Sequence, residues 1–130
     1  MQILPEDKID ELLQVIDDAI SGSVDMEDPT SIRQQIILLS SLAGTSAKTV
    51  ADSKYHQRQA ELRELRALQA EARLDKLAPT TITRIINTKT AEQARRSDLA
   101  DRLNAALVHA LDGYRSSLSF VKAELEHGNR

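Results

Sequence analysis

The sequence predicts an all-α protein: an elongated, coiled-coil-like antiparallel helical hairpin with an additional N-terminal helix, forming a helical bundle. Three observations predict it. From Ser31 to Leu77 the chain runs 47 residues without a proline and with one glycine, Gly44. Such a run, rich in Ala, Leu, Gln, Glu, Lys and Arg, favours helix. Unbroken, it reaches about 70 Å at 1.5 Å per residue. A second proline-free run, Thr90 to His127, supplies a lengthwise partner. Aromatic residues make up only 2% of the chain and tryptophan is absent. Aliphatic side chains must therefore carry the burial, which suits close-packed helices better than a sandwich or barrel. The length of 130 residues fits one helical domain, 1–130, with helices at about 6–21, 29–77, 81–87 and 91–127.

The first helix follows Pro5, a residue that a first turn tolerates. Glu6, Asp7, Asp10 and Glu11 load its positive end. Ile9, Leu12, Leu13, Ile16 and Ile20 recur at helical spacing and give one apolar stripe, which Ser21-Gly22 ends. A short acidic connection, Ser23 to Glu27, leads to Asp28-Pro29, an N-cap followed by proline at the first helical position.

The long helix changes character along its length. Ile32, Ile36, Ile37, Leu38, Leu39 and Leu42 are apolar over more than one face, so this end is expected to be the most buried. A stretch of small residues follows, from Ser40 through Gly44 to Ser53, and reads as a tight helix crossing, with a kink at Gly44 as the alternative. Leu62, Leu65, Leu68, Ala72 and Leu77 then mark a narrower seam flanked by Glu and Arg, in the manner of a coiled coil.

Pro79 ends this helix in the sequence reading. Ile82, Ile85 and Ile86 suit a short amphipathic helix; a strand would have no partner. Thr90-Ala-Glu-Gln93 has the form of a capping box opening the last helix. Its stripe runs through Leu99, Leu103, Ala106, Leu107, Ala110, Tyr114, Leu118, Val121 and Leu125. Gly113 lies inside it, where a close crossing would account for it, and His127-Gly128 forms the stop.

Composition narrows the function classes. The chain has no cysteine, which excludes disulfides, thiolate metal sites and cysteine nucleophiles and suits a reducing, cytoplasmic setting. No apolar run is long enough to span a membrane, and Met1 to Asp10 does not have the form of a signal peptide. The net charge of −3 hides an asymmetry: residues 1–53 hold three basic and ten acidic side chains, and residues 54–102 eleven and seven. The expected reading is a solvated helix face of mixed charge; attraction between these segments, within a protomer or between protomers, and contact of the basic middle with an anion are the alternatives.

Candidate chemistry is sparse. His56, His109 and His127 fall in no metal-binding frame, although antiparallel pairing of the two long helices could bring His56 and His109 together, with Asp52 or Asp112, as a metal site; surface or interhelix polar histidines are the expected reading. No GxSxG, P-loop or GxGxxG occurs, and no cofactor is expected. Arg84, Lys89, Arg95 and Arg96 are candidate contacts to an anion or a nucleic acid, since phosphates require only such charges. Base stacking requires aromatics, of which this region has only Tyr55. Asn104, Asp112, Arg115, Ser119 and Lys122 share one side of the last helix, a polar stripe suited to binding or to fixing helix register. Arg115 stands out there because its planar fork pairs bidentately with carboxylate or phosphate.

The segment Ala100 to Glu124, with its RLN…R-S-x-L-S-x-x-K-x-E rhythm, resembles small helical proteins of bacteriophages and prophages. The resemblance implies a phage–host context and carries no catalytic motif. The sequence thus points to a non-enzymatic helical interaction protein. Because a short hairpin cannot cover every apolar face of Ile32–Leu42, a homo-oligomer is expected, most simply a two-fold dimer. Two alternatives remain: an accessory nucleic-acid-binding factor using the basic middle, and a sponge or inhibitor holding a small anionic ligand between protomers through Arg115 and Lys122.

Overall fold

The computed structural model describes residues 2–128 and is all-α. Its elements are α1 (Glu6–Ile20), α2 (Pro29–Ala70), a single 3₁₀ turn (Leu74–Lys76), α3 (Pro79–Lys89) and α4 (Ala91–Gly128). The long helices α2 and α4 pack antiparallel, and Ser46 Oγ donates to Asn104 Oδ1 across their crossing at 2.9 Å. Helix α1 lies against both. Its start is beside Asp52 of α2 and Arg96 of α4, and its end is beside Gln35, so it runs antiparallel to α2 and parallel to α4.

The core is aliphatic and in two parts. Ile16, Leu39, Leu107 and Leu111 form one cluster, with Ile36, Leu42, Leu103 and Tyr114 packed against it. Ile9, Leu13 and Ala100 form the other, closed by Leu4 and Val50. Each large side chain so buried contributes about 1.5–3 kcal/mol. Gln35 Nε2 donates at 2.7 Å to the carbonyl of Ala19, one of the carbonyls that the end of α1 leaves without a helical partner.

Asp28 caps α2 as its sequence implies, accepting from the Thr30 N–H at 3.0 Å, with Pro29 in the first turn. The far end differs from expectation. Helix α2 stops at Ala70, seven residues before Leu77 and well before Pro79. Arg73 N–H reaches back to the Leu68 carbonyl and Ala72 N–H to that of Gln69, the two hydrogen bonds of a Schellman turn. Ala72 takes the left-handed conformation, φ 55°, where glycine is usual. Leu77 and Ala72 therefore lie outside the helix. Pro79 does not end α2 but opens α3, which spans Pro79–Lys89 rather than 81–87.

Helix α2 continues unbroken through Gly44, and its close approach falls within the small-residue stretch as expected, at Ser46, Thr49 and Ser53, which are fully buried. The expectation for Gly113 is corrected: like Gly44, it has no neighbour within 4 Å of where a Cβ would stand. The capping box does not form either: the Thr90 hydroxyl donates at 2.8 Å to the Ile86 carbonyl and so closes α3.

Candidate functional site

Three places combine polar or apolar groups in ways that packing alone does not require. The first is a clamp on the N-terminal segment. Leu4 N–H donates to Asp52 Oδ2 at 3.0 Å, and His56 Nε2 lies 2.6 Å from the Leu4 carbonyl oxygen. Lys48 bridges the Gln2 carbonyl, at 2.9 Å, and Asp52, at 3.0 Å. Burial pushes the Asp52 carboxyl up. The Leu4 N–H, Lys48 and the nearby His56 outweigh it and hold its pKa below the usual carboxylate value.

Beside this clamp, the buried Arg96 guanidinium binds Asp10 through Nε at 2.7 Å and Nη2 at 3.2 Å, Glu6 through Nη1 at 3.2 Å, and Glu92 through Nη2 at 3.2 Å. The Asp10 hydrogen bond raises its pKa against the opposing effect of burial. At Arg96 the acidic first helix and the basic middle meet within the protomer, in place of the solvated mixed-charge face expected there. This also corrects the place of Arg96 among the candidate anion contacts, because its donors are already committed to carboxylates. Lys89 lies 3.7 Å from Glu64. Arg84 and Arg95 are exposed, with no carboxylate of a described residue in ion-pair distance.

The polar stripe of α4 divides. Asn104 is half-buried and accepts from the Ser46 hydroxyl, which joins α4 to α2. Asp112, Arg115, Ser119 and Lys122 are exposed. Arg115 lies 3.9 Å from Asp112, and the Ser119 hydroxyl donates to the Arg115 carbonyl. The two histidines do not meet. His56 lies ten residues beyond Ser46 and His109 five beyond Asn104 in the opposite direction, which separates them by about 22 Å along the axis. Among the described residues no three His, Asp or Glu side chains gather as metal ligands.

The other two places are apolar and open. The outer face of α2 carries Ile37, Tyr55, Leu62 and Leu65 in water, Ile37 at 62% exposure. This corrects the expectation that Ile32–Leu42 is the most buried stretch: Ile32 and Leu39 are buried, but Ile37 and Leu38 are not. Beyond its middle, Leu62 and Leu65 join Arg58, Thr83 and Ile86 around a groove of about 510 Å³ between α2 and α3. At the opposite end of the molecule, Met26, Phe120, Val121 and Leu125 line a cavity of about 720 Å³ with Glu27 and Glu124 on it. Phe120, the most exposed of these at 64%, sits where α4 outruns the loop before α2.

The sequence reading anticipated part of these faces, in the uncovered apolar side of Ile32–Leu42 and in the Leu62 and Leu65 seam, but not their continuity along α2. The signal was present, since Ile37, Gly44, Ala47, Ala51, Tyr55, Leu62 and Leu65 recur at helical spacing on the side opposite Leu39, Ser46, Ser53 and Ala60. No described helix is long and apolar enough to cross a membrane. Comparison of the chain with protein-family models, with curated proteins and with solved structures finds no match.

Proposed function

We propose that this chain is a non-enzymatic interaction protein of phage or prophage origin, acting as a homo-oligomeric helical bundle on a macromolecular partner. The observation that supports it is the apolar end of α4. Phe120, Leu125 and Met26 stand exposed around a concave surface, and an apolar patch of this kind is the usual mark of a binding face. Glu27 and Glu124 on its wall favour a partner segment that is apolar with basic flanks. The likeness of residues 100–124 to phage and prophage proteins motivates the phage–host context.

The test is capture by the tagged chain from bacterial lysate, in nuclease-treated and untreated halves, alongside Phe120→Asp with unchanged helicity. The expected result is a discrete protein retained in both halves and lost with Phe120→Asp. Capture that depends on nucleic acid overturns the reading and transfers the function to Arg84, Lys89 and Arg95. Capture indifferent to Phe120→Asp removes the α4 end as the binding face.

A further inference from the structure

The outer face of α2 is left uncovered by the other helices. Along it, Ile37, Ser40, Gly44, Ala47, Ala51, Tyr55, Arg58, Leu62 and Leu65 follow one another at spacings of three and four residues, all exposed. The order of sizes is directional. Between the outermost Ile37 and Ala51 the side chains are small, Ser40, Gly44 and Ala47, and after Ala51 they are large, Tyr55, Arg58, Leu62 and Leu65. We propose that two copies pair antiparallel along this face about a two-fold axis at Ala51. The inference deepens the oligomeric part of the reading above and rests on it.

Antiparallel pairing about residue 51 sets Ala47 against the partner's Tyr55, Gly44 against the partner's Arg58, Ser40 against the partner's Leu62 and Ile37 against the partner's Leu65. In the first three pairs a long side chain meets a short one, and in the fourth two aliphatic side chains, Ile37 and Leu65, meet each other. The space above Gly44 is empty to 4 Å, room for the stem of an arginine. An isologous contact demands this kind of self-complementarity. Parallel pairing would set Tyr55 on Tyr55 and Gly44 on Gly44, crowding one end and leaving the other hollow.

A second observation points the same way. Ile37 projects into water at 62% exposure, and its two-fold counterpart Leu65 borders the open groove between α2 and α3. Within one protomer these lie about 42 Å apart on a single helix and never meet. The two-fold seats each copy's Ile37 in the other's groove, beside Leu62, Leu65 and Ile86, and does so twice.

Charge is sparse along the seam, with Arg58 in it and Glu61 on the groove wall. Lys48 is drawn aside to Asp52 and the Gln2 carbonyl, and Lys54 lies 3.5 Å from Asp101 of α4. Arg58 is the one charged side chain among the nine facing residues of a chain that is 28% charged, a depletion typical of an interface centre. A strip about 42 Å long and about 12 Å wide on each copy buries on the order of 1,000 Å² in total, at the lower edge for a specific pair. The dimer should therefore form in the micromolar range.

The test is sedimentation of the full chain from 1 to 200 µM, with Ala51→Arg and Ile37→Asp beside it and circular dichroism to confirm that both fold. The expected result is a concentration-dependent dimer whose dissociation constant rises about tenfold or more in each variant. Because the chain has no cysteine, a spin label on Ser41→Cys reads orientation directly. Antiparallel pairing puts the two labels about 30 Å apart along the axis, and parallel pairing brings them within about 15 Å. A monomer at 200 µM, a dimer indifferent to both substitutions, or the short label distance each overturns the proposal. Phe120→Asp should dimerise normally, so loss of partner capture and loss of this seam are separate results.

Discussion

The two faces of α2 reverse the usual arrangement of an amphipathic helix. Between residues 46 and 53 its inward face holds Ser46, Thr49, Asp52 and Ser53, all buried, while Ala47, Ala51 and then Tyr55 face outward. Seven residues earlier the inward face is aliphatic, with Ile32 and Leu39 fully buried. The difference separates two tasks. Leu39, with Ile16, Leu107 and Leu111, supplies burial energy. The small polar residues let α2 and α4 approach and join them through the Ser46–Asn104 hydrogen bond. Apolar side chains that this inward face does not use are available on the outward face for another surface.

The largest expected effect contrasts two neighbouring aliphatic residues. Leu39→Ala should cost about 2–5 kcal/mol, because it opens a cavity among packed side chains. Ile37→Ala should cost less than about 0.5 kcal/mol in the monomer. Urea unfolding at low micromolar concentration measures both. Repeating it at high concentration sharpens the contrast: the cost of Ile37→Ala should then grow, since its surface is buried between copies, and that of Leu39→Ala should not.

Asp52 tests the polar side of the same face. Its pKa is lower in the folded state than in the unfolded chain, so the ionised carboxylate stabilises the fold. That stability is fully present above the unfolded value of about 3.9 and is lost as pH falls through the lower native value. Asp52→Asn leaves Lys48 without its buried partner and should cost about 1–3 kcal/mol at neutral pH. Below about pH 4 the difference between the two proteins should shrink as wild type protonates. A difference that stays constant down to pH 2 would show that the carboxylate charge is not what fastens the N-terminal segment.

Much of the fold was legible because helix, cap and charge signals are local. Asp28-Pro29 specified its own cap, and the proline-free runs specified both long helices. The end of α2 was not legible, because a Schellman turn normally announces itself by glycine and here uses Ala72. Thr90 was misread because its hydroxyl has two competing acceptors or donors nearby, and packing decided for the Ile86 carbonyl. The candidate faces were harder still. An apolar residue in a helix declares only that it prefers burial, and Ile37 and Leu39 are indistinguishable until α1 and α4 select which side is inward. Arg96 likewise reads as a free cation until folding brings Glu6 and Asp10 to it from 86 or more residues away.

Two substitutions should stabilise by about 1 kcal/mol each. Ser53 Oγ is buried with no hydrogen-bond partner, and Ser53→Ala removes an unsatisfied group at the α2–α4 approach. Ala72→Gly relieves the left-handed backbone at the end of α2. Both should raise the melting temperature. A fall with Ser53→Ala would mean that its hydroxyl contributes to the crossing like that of Ser46.

The smallest expected effect distinguishes the two internal glycines. Gly44 and Gly113 both sit in helix with open space where a Cβ would stand. Alanine at either position should therefore add about 0.5–1 kcal/mol to folding by restricting the unfolded chain and favouring helix. Only Gly44 lies on the outward seam of α2, opposite the partner's Arg58 in the antiparallel pair. Gly113→Ala should raise the melting temperature and leave the dimer dissociation constant unchanged. Gly44→Ala should raise it equally at low concentration and weaken self-association, because the added methyl group occupies the space that the arginine stem fills. Calorimetry at two concentrations separates the outcomes, and equal behaviour of the two variants at both would remove Gly44 from the seam.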